Sequence, residues 1–268
     1  TSGSKGKPKG VMIEHRNVYS FISWCQQEFS SDRFEIVYAS TSMCFDLSVF
    51  EFFYPLSIGK PIRLLENGLE IGKYLPIDRG VMTNSVPIVI ESLIREGVDL
   101  DNITVMNMAG EPISSYVQQQ LDAEKIVLRN LYGPTEDTTY STVYQLKNGI
   151  EALIGKPISN TSVLILSNDG NLVPVGVAGE ICLSGEGLSR GYLNREELTA
   201  EKFIPNTFSK QAGSRLYKTG DLGRWLHDGN IQYLGRIDNQ VKFRGFRIEL
   251  GEIETVLLQS GLVKQAVV

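Results

Sequence analysis

Cysteine is scarce in this 268-residue chain: Cys25, Cys44 and Cys182 are odd in number and far apart. Neither a disulfide framework nor a zinc-ligand spacing can be drawn from them, and three reduced thiols are the expectation. Long apolar runs are missing too. None approaches the ~20 residues that cross a bilayer, so no membrane partner is expected. No secretory leader is visible in the polar, glycine-rich opening stretch, which points to a cytoplasmic location. The net charge is only −5, which gives no global attraction to nucleic acid. What is present is material for a core. Of the residues, 42% are hydrophobic, over a length that exceeds the ~100–200 residues of a typical domain.

The first half alternates between strand and helix patterns. Residues 16–29 place Val18, Phe21, Ile22, Cys25 and Phe29 at helical spacing. Short β-rich runs follow at 35–40, 61–66, 80–84, 103–108 and 125–131. Helical stretches are expected at 87–96, opened by Pro87, and at 114–124. This alternation predicts an α/β fold, a sheet flanked by helices, over residues 1–150. From about 151 to 237 short strands (VLIL, EICLSG, IQYLG) are punctuated by Gly, Asn and Asp. SNDGN at 167–171 and HDGN at 227–230 read as hairpin turns, and the whole as a β-rich, barrel-like lobe. GEIETVLLQSG at 251–261 reads as an amphipathic helix that Gly261 ends.

Four stretches carry chemistry. TSGSKGKPKG at 1–10 is rich in Gly and Lys, as polyphosphate binding requires, yet it is not a Walker loop, because Pro8 stands where that motif needs Gly. A solvated basic turn is the structural alternative. NLYGPTE at 130–136 leaves a strand with an aromatic ring, a hydroxyl and a carboxylate close together. Tyr132 can stack on a base, Thr135 can donate to a phosphate, and Glu136 can hold Mg2+. YKTGDL at 217–222 puts Asp221 in a tight glycine turn suited to ribose hydroxyls, or to a plain Asx-type turn. GRIDNQVKFRGFRIELGEIE at 235–254 is strongly charged and reads either as a functional junction or as a linker.

Together with FDLS at 45–48 and GEICLSGEGLSRGYL at 179–193, these motifs resemble, in order, those of nonribosomal peptide synthetase adenylation domains, within the acyl-adenylate-forming superfamily. The resemblance covers essentially the whole chain. It implies a large subdomain over 1–237 and the beginning of a small α+β C-terminal subdomain over 238–268, an interior segment of a larger enzyme. It implies ATP and Mg2+ as cofactors, with Thr1, Ser2, Gly3, Ser4 and Lys9 on the phosphates and Glu136 on the metal. Tyr132, with Tyr233 close by, would sandwich the adenine, Asn130 and Gly133 would also bind ATP, Asp221 would hold the ribose, and Arg236 the ribose or phosphate. Thr135, Glu136 and Arg236 would be the catalytic set. Asp46 would pair with the α-ammonium of an amino acid, and Asp238 would be the hinge within an Arg236–Asp238–Gly245 pattern. One departure is Lys5, where the family usually has Thr or Ser.

The positions matching the family's selectivity pocket are Leu47, Phe50, Ser85, Asn107, Ala109, Leu131, Thr139 and Tyr140. None is charged and several are bulky, so a small neutral amino acid such as alanine or glycine is expected. Loops at the carboxyl ends of neighbouring strands converge on one crevice in open α/β sheets, which supports the same grouping. The implied activity is ATP-dependent formation of an aminoacyl-adenylate with release of pyrophosphate. Loading onto the phosphopantetheine thiol of a peptidyl carrier protein would follow, with a condensation domain in the parent chain. An acyl- or aryl-CoA ligase, or a non-catalytic nucleotide-binding module, remain the alternatives.

Overall fold

The structure, a computed structural model, describes residues 9–238, 240–243, 246–248, 250–260, 262–263 and 265–268. Thr1 to Ser4, Lys5, Gly245 and Gly261 therefore lie outside the described residues. The first lobe runs α1 (His15–Glu28), β1 (Ile36–Ala39), α2 (Leu47–Ser57), β2 (Ile62–Leu64), α3 (Ile71–Tyr74), β3 (Val81–Ser85), α4 (Pro87–Arg95), β4 (Ile103–Ala109), α5 (Ser115–Gln120) and β5 (Val127–Tyr132). It closes with β6 (Thr142–Gln145) and β7 (Lys156–Pro157). The second lobe holds β8 (Thr161–Leu166), β9 (Gly179–Gly185), α6 (Glu196–Lys202), β10 (Phe203–Pro205), β11 (Arg215–Trp225) and β12 (Ile231–Arg236). A separate hairpin, β13 (Val241–Phe243) with β14 (Phe246–Ile248), precedes α7 (Leu250–Gln259).

The first sheet has the order β2-β1-β3-β4-β5-β6-β7. Its first five strands are parallel and its last two antiparallel. The burial of both faces follows from that topology, because crossover helices cover a parallel sheet on each side. On one face Phe21, Trp24 and Cys25 of α1 and Phe50 and Tyr54 of α2 pack on Val37, Met82, Val105 and Leu131. On the other, Ile90 and Leu93 of α4 and Val117 of α5 pack on Val81, Met106, Met108 and Leu128. The second lobe is a curled antiparallel sheet in which β11 is flanked by β9 on one side and by β10 and β12 on the other. The expected α/β architecture followed by a β-rich lobe is thus the one observed.

Several local expectations need correction. FDLS does not stay a loop, since Leu47 opens α2. That helix is apolar nearly all round, with Phe50 and Tyr54 buried but Phe53 and Leu56 exposed, and so hides its helical period. The helix expected at 114–124 stops at Gln120. Glu124 N–H donates to Asp122 Oδ1 and Ala123 N–H to Asn148 Oδ1, so local turn bonding outcompetes another helical turn. SNDGN does form a turn, closed from Gly170 N–H to Ser167 O, but only a single bridge follows it rather than a return strand. HDGN does join a hairpin, β11 to β12. Gly220–Asp221 is not a tight turn. It lies inside the 11-residue β11, at an irregularity between Lys218 and Leu222 where Gly220 takes φ +75°.

Candidate active site

The carboxyl ends of four parallel strands open on one crevice of about 670 Å³. Ser40, Thr41 and Ser42 leave β1, Ser85 ends β3, Ala109 ends β4, and Gly133 to Thr135 follow β5. The facing wall comes from the second lobe and the N-terminal stretch: Thr219, Asp221, Arg236 and Lys9. A neighbouring cavity of about 430 Å³ shares Gly110 and Gly133 with this cleft and is lined by Asn130, Tyr132 and Tyr233. The residues assigned to a nucleotide base are therefore together. The Tyr132 and Tyr233 rings lie 6.3 Å apart.

The turn after β5 is built tightly. A Cβ on Gly133 would come within 2.6 Å of Thr139 O and 2.8 Å of Ser141 N, so only glycine fits. Thr138 and Thr139 both take left-handed backbone angles, φ 55° and 75°, a strained choice for β-branched residues. Each is held by its hydroxyl: Thr138 donates to Gly187 O, and Thr139 to Asp46 O at 3.1 Å. The second bond ties the turn to the start of α2, where Asp46 lines the cleft.

The second-lobe end is dense with charge. Glu136, fully buried, lies 3.3 Å from Lys9 Nζ, and Tyr192 OH donates to it at 2.6 Å. Burial and the Glu136 charge push the Tyr192 phenol up. Asp221 accepts from Tyr132 OH at 2.6 Å and from Arg236 Nη1 at 2.8 Å. Arg236 also grips Asp238 through Nε and Nη2, at 2.6 and 2.7 Å. Burial raises the Asp238 carboxyl, and the Arg236 bonds outweigh it, so its pKa is lowered overall. Arg236 thus joins the proposed ribose ligand to the proposed hinge.

The opposite end, apart from Asp46, is lined by uncharged residues. Asp46, Leu47, Ser85, Ala109 and Thr139 line the cleft itself, whereas Phe50, Asn107, Leu131 and Tyr140 are buried around its floor. Two residues there, Asn84 and Glu51, are not among those the sequence nominates. Asn84, fully buried, pairs in register with Asn107, accepts from Tyr140 OH at 2.5 Å, and donates to Glu51 at 3.3 Å. The strand alternation of Val81–Ser85 carries the signal that finds it. Met82 packs with Phe50, and Asn84, two residues on, faces the same side. Among the described residues, both amide atoms of buried Asn107 lack a hydrogen-bond partner, an arrangement that a polar group entering the floor would relieve.

Fold and cleft together define a class: a two-lobed α/β protein that brings a charged end and a neutral polar end into one crevice. The chain belongs to the AMP-binding enzyme family, whose model matches residues 1–193. It is 47% identical over 272 residues to one of the linear gramicidin synthase proteins of Brevibacillus parabrevis, matching 100% of this chain and 5% of that protein. The Vibrio cholerae adenylation domain AlmE, in complex with glycyl-adenosine-5′-phosphate, matches with a TM-score of 0.87 at 29% identity, over 97% of this chain and 51% of that one. The four domain nonribosomal peptide synthetase AB3403, bound to AMP and glycine, matches with a TM-score of 0.79 at 33% identity, over 97% and 20%. These findings bear out the adenylation-domain family expected from the motifs. The chain spans only a small part of the gramicidin synthase protein it matches.

Proposed function

We propose that this chain activates an amino acid as its adenylate at the expense of ATP. The observation that carries the reading is the convergence of Asp46, Thr135, Asp221 and Arg236 on one crevice. AlmE with its glycyl-adenosine-5′-phosphate and AB3403 with AMP and glycine support it. In this reading Asp46 receives the α-ammonium, and Tyr132, Tyr233, Asn130 and Gly133 surround the base. Asp221 takes the ribose hydroxyls in place of part of its present bonding to Tyr132 and Arg236. Thr135, between the two ends, donates to the α-phosphate or the substrate carboxylate. The loop 1–8, outside the described residues, and Lys9 serve the outer phosphates.

The substrate carboxylate forms a bond to the α-phosphorus. The bond from that phosphorus to its bridging oxygen breaks, and pyrophosphate leaves with the electron pair. No general base is required, because a carboxylate is already ionised at neutral pH. The protein contributes positioning and neutralisation of charge.

Magnesium is bound by one or two carboxylates together with substrate phosphates. Glu136 is a buried carboxylate 3.3 Å from Lys9, beside the turn at 133–135 that lines the cleft, a donor that fits an ion carried on a triphosphate. Glu136 would hold it, and the ion would neutralise phosphate charge. Lys9, 3.3 Å from Glu136, would then contact phosphate.

The bulky floor of Phe50, Leu131 and Tyr140 supports a small neutral substrate such as alanine or glycine. Transfer to a carrier-protein phosphopantetheine thiol belongs to the same reading, with the segment from 238 rotating about Asp238 as the beginning of a small subdomain. Exchange of labelled pyrophosphate into ATP, run on the full-length protein with amino acids and then with other carboxylic acids, tests it. Amino-acid-dependent exchange is expected. Exchange supported only by acids lacking an ammonium would sink it.

A further inference from the structure

A buried polar chain beneath the cleft takes no part in this chemistry. Glu51 lies on the inner face of α2 with no exposed surface. Its Oε2 accepts from the Thr41 backbone N–H at 3.0 Å, and its Oε1 accepts from the Thr41 hydroxyl at 2.5 Å. Oε1 also accepts from Asn84 Nδ2 at 3.3 Å, and Asn84 Oδ1 accepts from Tyr140 OH at 2.5 Å. All four bonds run through neutral partners. One carboxylate therefore staples three elements: the loop after β1, α2, and the end of β3.

Each connection bears on substrate. Thr41 begins the loop that lines the cleft as far as Asp46 and Leu47. An amide has a donor end and an acceptor end, and by accepting from Nδ2 Glu51 fixes which end of Asn84 meets Tyr140. The Tyr140 hydroxyl is thereby committed as a donor to Asn84, which pairs in register with Asn107, whose amide atoms have no hydrogen-bond partner among the described residues. A loss at Glu51 frees the Asn84 amide to turn over and releases the loop that presents Asp46.

We propose that Glu51 is a positioning residue for substrate selection, orienting the Asn84–Tyr140 floor and anchoring the loop that carries Asp46. The proposal rests on the reading of the cleft as an amino-acid site. Its residue touches neither nucleotide nor substrate, and its effect is confined to the neutral end.

The test is pyrophosphate–ATP exchange by the full-length protein across a panel of amino acids. Exchange by the parent with at least one amino acid carries the underlying reading; its absence overturns that reading and the inference with it. Given exchange, Glu51→Gln should raise KM for the preferred amino acid about tenfold, a loss of about 1.4 kcal/mol. It should leave KM for ATP and kcat within about twofold and narrow the kcat/KM ratio between the preferred amino acid and its next larger homologue. Tyr140→Phe, which removes one hydroxyl at the far end of the chain, should narrow the same ratio, and the double variant should be no worse than the more affected single one. Parallel rises in both KM values, an unchanged ratio, or multiplicative single effects would each overturn the proposal. Should Glu51→Gln fail to fold, Tyr140→Phe alone decides through that ratio.

Discussion

The two ends of the cleft solve the problem of buried polarity in opposite ways. At the second-lobe end, charge is met by charge: Lys9 with Glu136, and Arg236 with Asp221 and Asp238. At the strand-end floor, among the described residues, Glu51 is met by neutral donors from Thr41, Asn84 and the Ser40 backbone. An ion pair can exchange one partner for a phosphate or a metal at little net cost, because a new opposite charge replaces the old one. A neutral network has no such freedom, since each donor is matched to one acceptor, and a displaced group is left unsatisfied. The charged end is therefore suited to a ligand that arrives, reacts and leaves in pieces. The neutral end is suited to holding one shape.

The comparison breaks most sharply at Asp46, among the described residues the one acidic group that lines the cleft on the strand-end side. Asp46→Ala should lower amino-acid kcat/KM about 10²–10³-fold, the size expected when a charge pair loses one member, about 3–5 kcal/mol. KM for ATP should hold within about twofold. Normal amino-acid activation by that variant would remove the ammonium anchor. Asp221→Ala is the counterpart at the charged end. It leaves Arg236 and the Tyr132 hydroxyl without one partner each and should raise KM for ATP about 10–100-fold, with the amino-acid KM little changed. A smaller effect separates ring from hydroxyl. Tyr132→Phe keeps the aromatic face and loses the hydroxyl with its bond to Asp221, so KM for ATP should rise about fivefold, as one net hydrogen bond implies. An effect as large as that of Asp221→Ala would mean the hydroxyl, not the ring, is what the base requires.

What is legible in the sequence follows the same division. The parallel strands announce themselves as β-rich runs, and the rule for open α/β sheets sends the loops at their ends to one crevice. Charged motif residues are legible because Asp221, Arg236, Glu136 and Lys9 sit in glycine-marked stretches whose order resembles the family's motifs. The neutral floor is not. Glu51 stands in SVFEFFYPLS, whose near-continuous apolarity gives no helical period, so neither α2 nor the inward face of its single carboxylate can be read. The sequence nominates Ser85 rather than its neighbour Asn84, a one-residue choice that in a strand swaps faces. Ser85 does reach the cleft, but Asn84 joins the hydrogen-bonded floor. The irregularity in β11 is hidden too, because Gly-Asp signals a turn far more often than a bulge inside a long strand.

The last expected effect is on stability rather than turnover and concerns how the neutral end carries its carboxyl. Burial pushes the Glu51 carboxyl up to about 7, against the lowering influence of its Thr41 and Asn84 bonds. A carboxyl with a raised folded-state pKa binds its proton more tightly folded than unfolded. Its contribution to stability is therefore full below the unfolded value near 4.5 and is lost as pH climbs through about 7. Each unit of that displacement is worth about 1.4 kcal/mol, so over the two units from pH 5 to about 7 the parent should lose about 3 kcal/mol, about 5–10 °C in Tm, from this group alone. Glu51→Gln, which cannot ionise, should lack that part of the decline, and Tm measured across the range for both proteins checks it. Equal slopes in parent and variant would mean that the Thr41 and Asn84 donors already stabilise the ionised form as well as water does. The neutral end would then tolerate a bare negative charge, and its contrast with the ion-paired end would shrink to geometry.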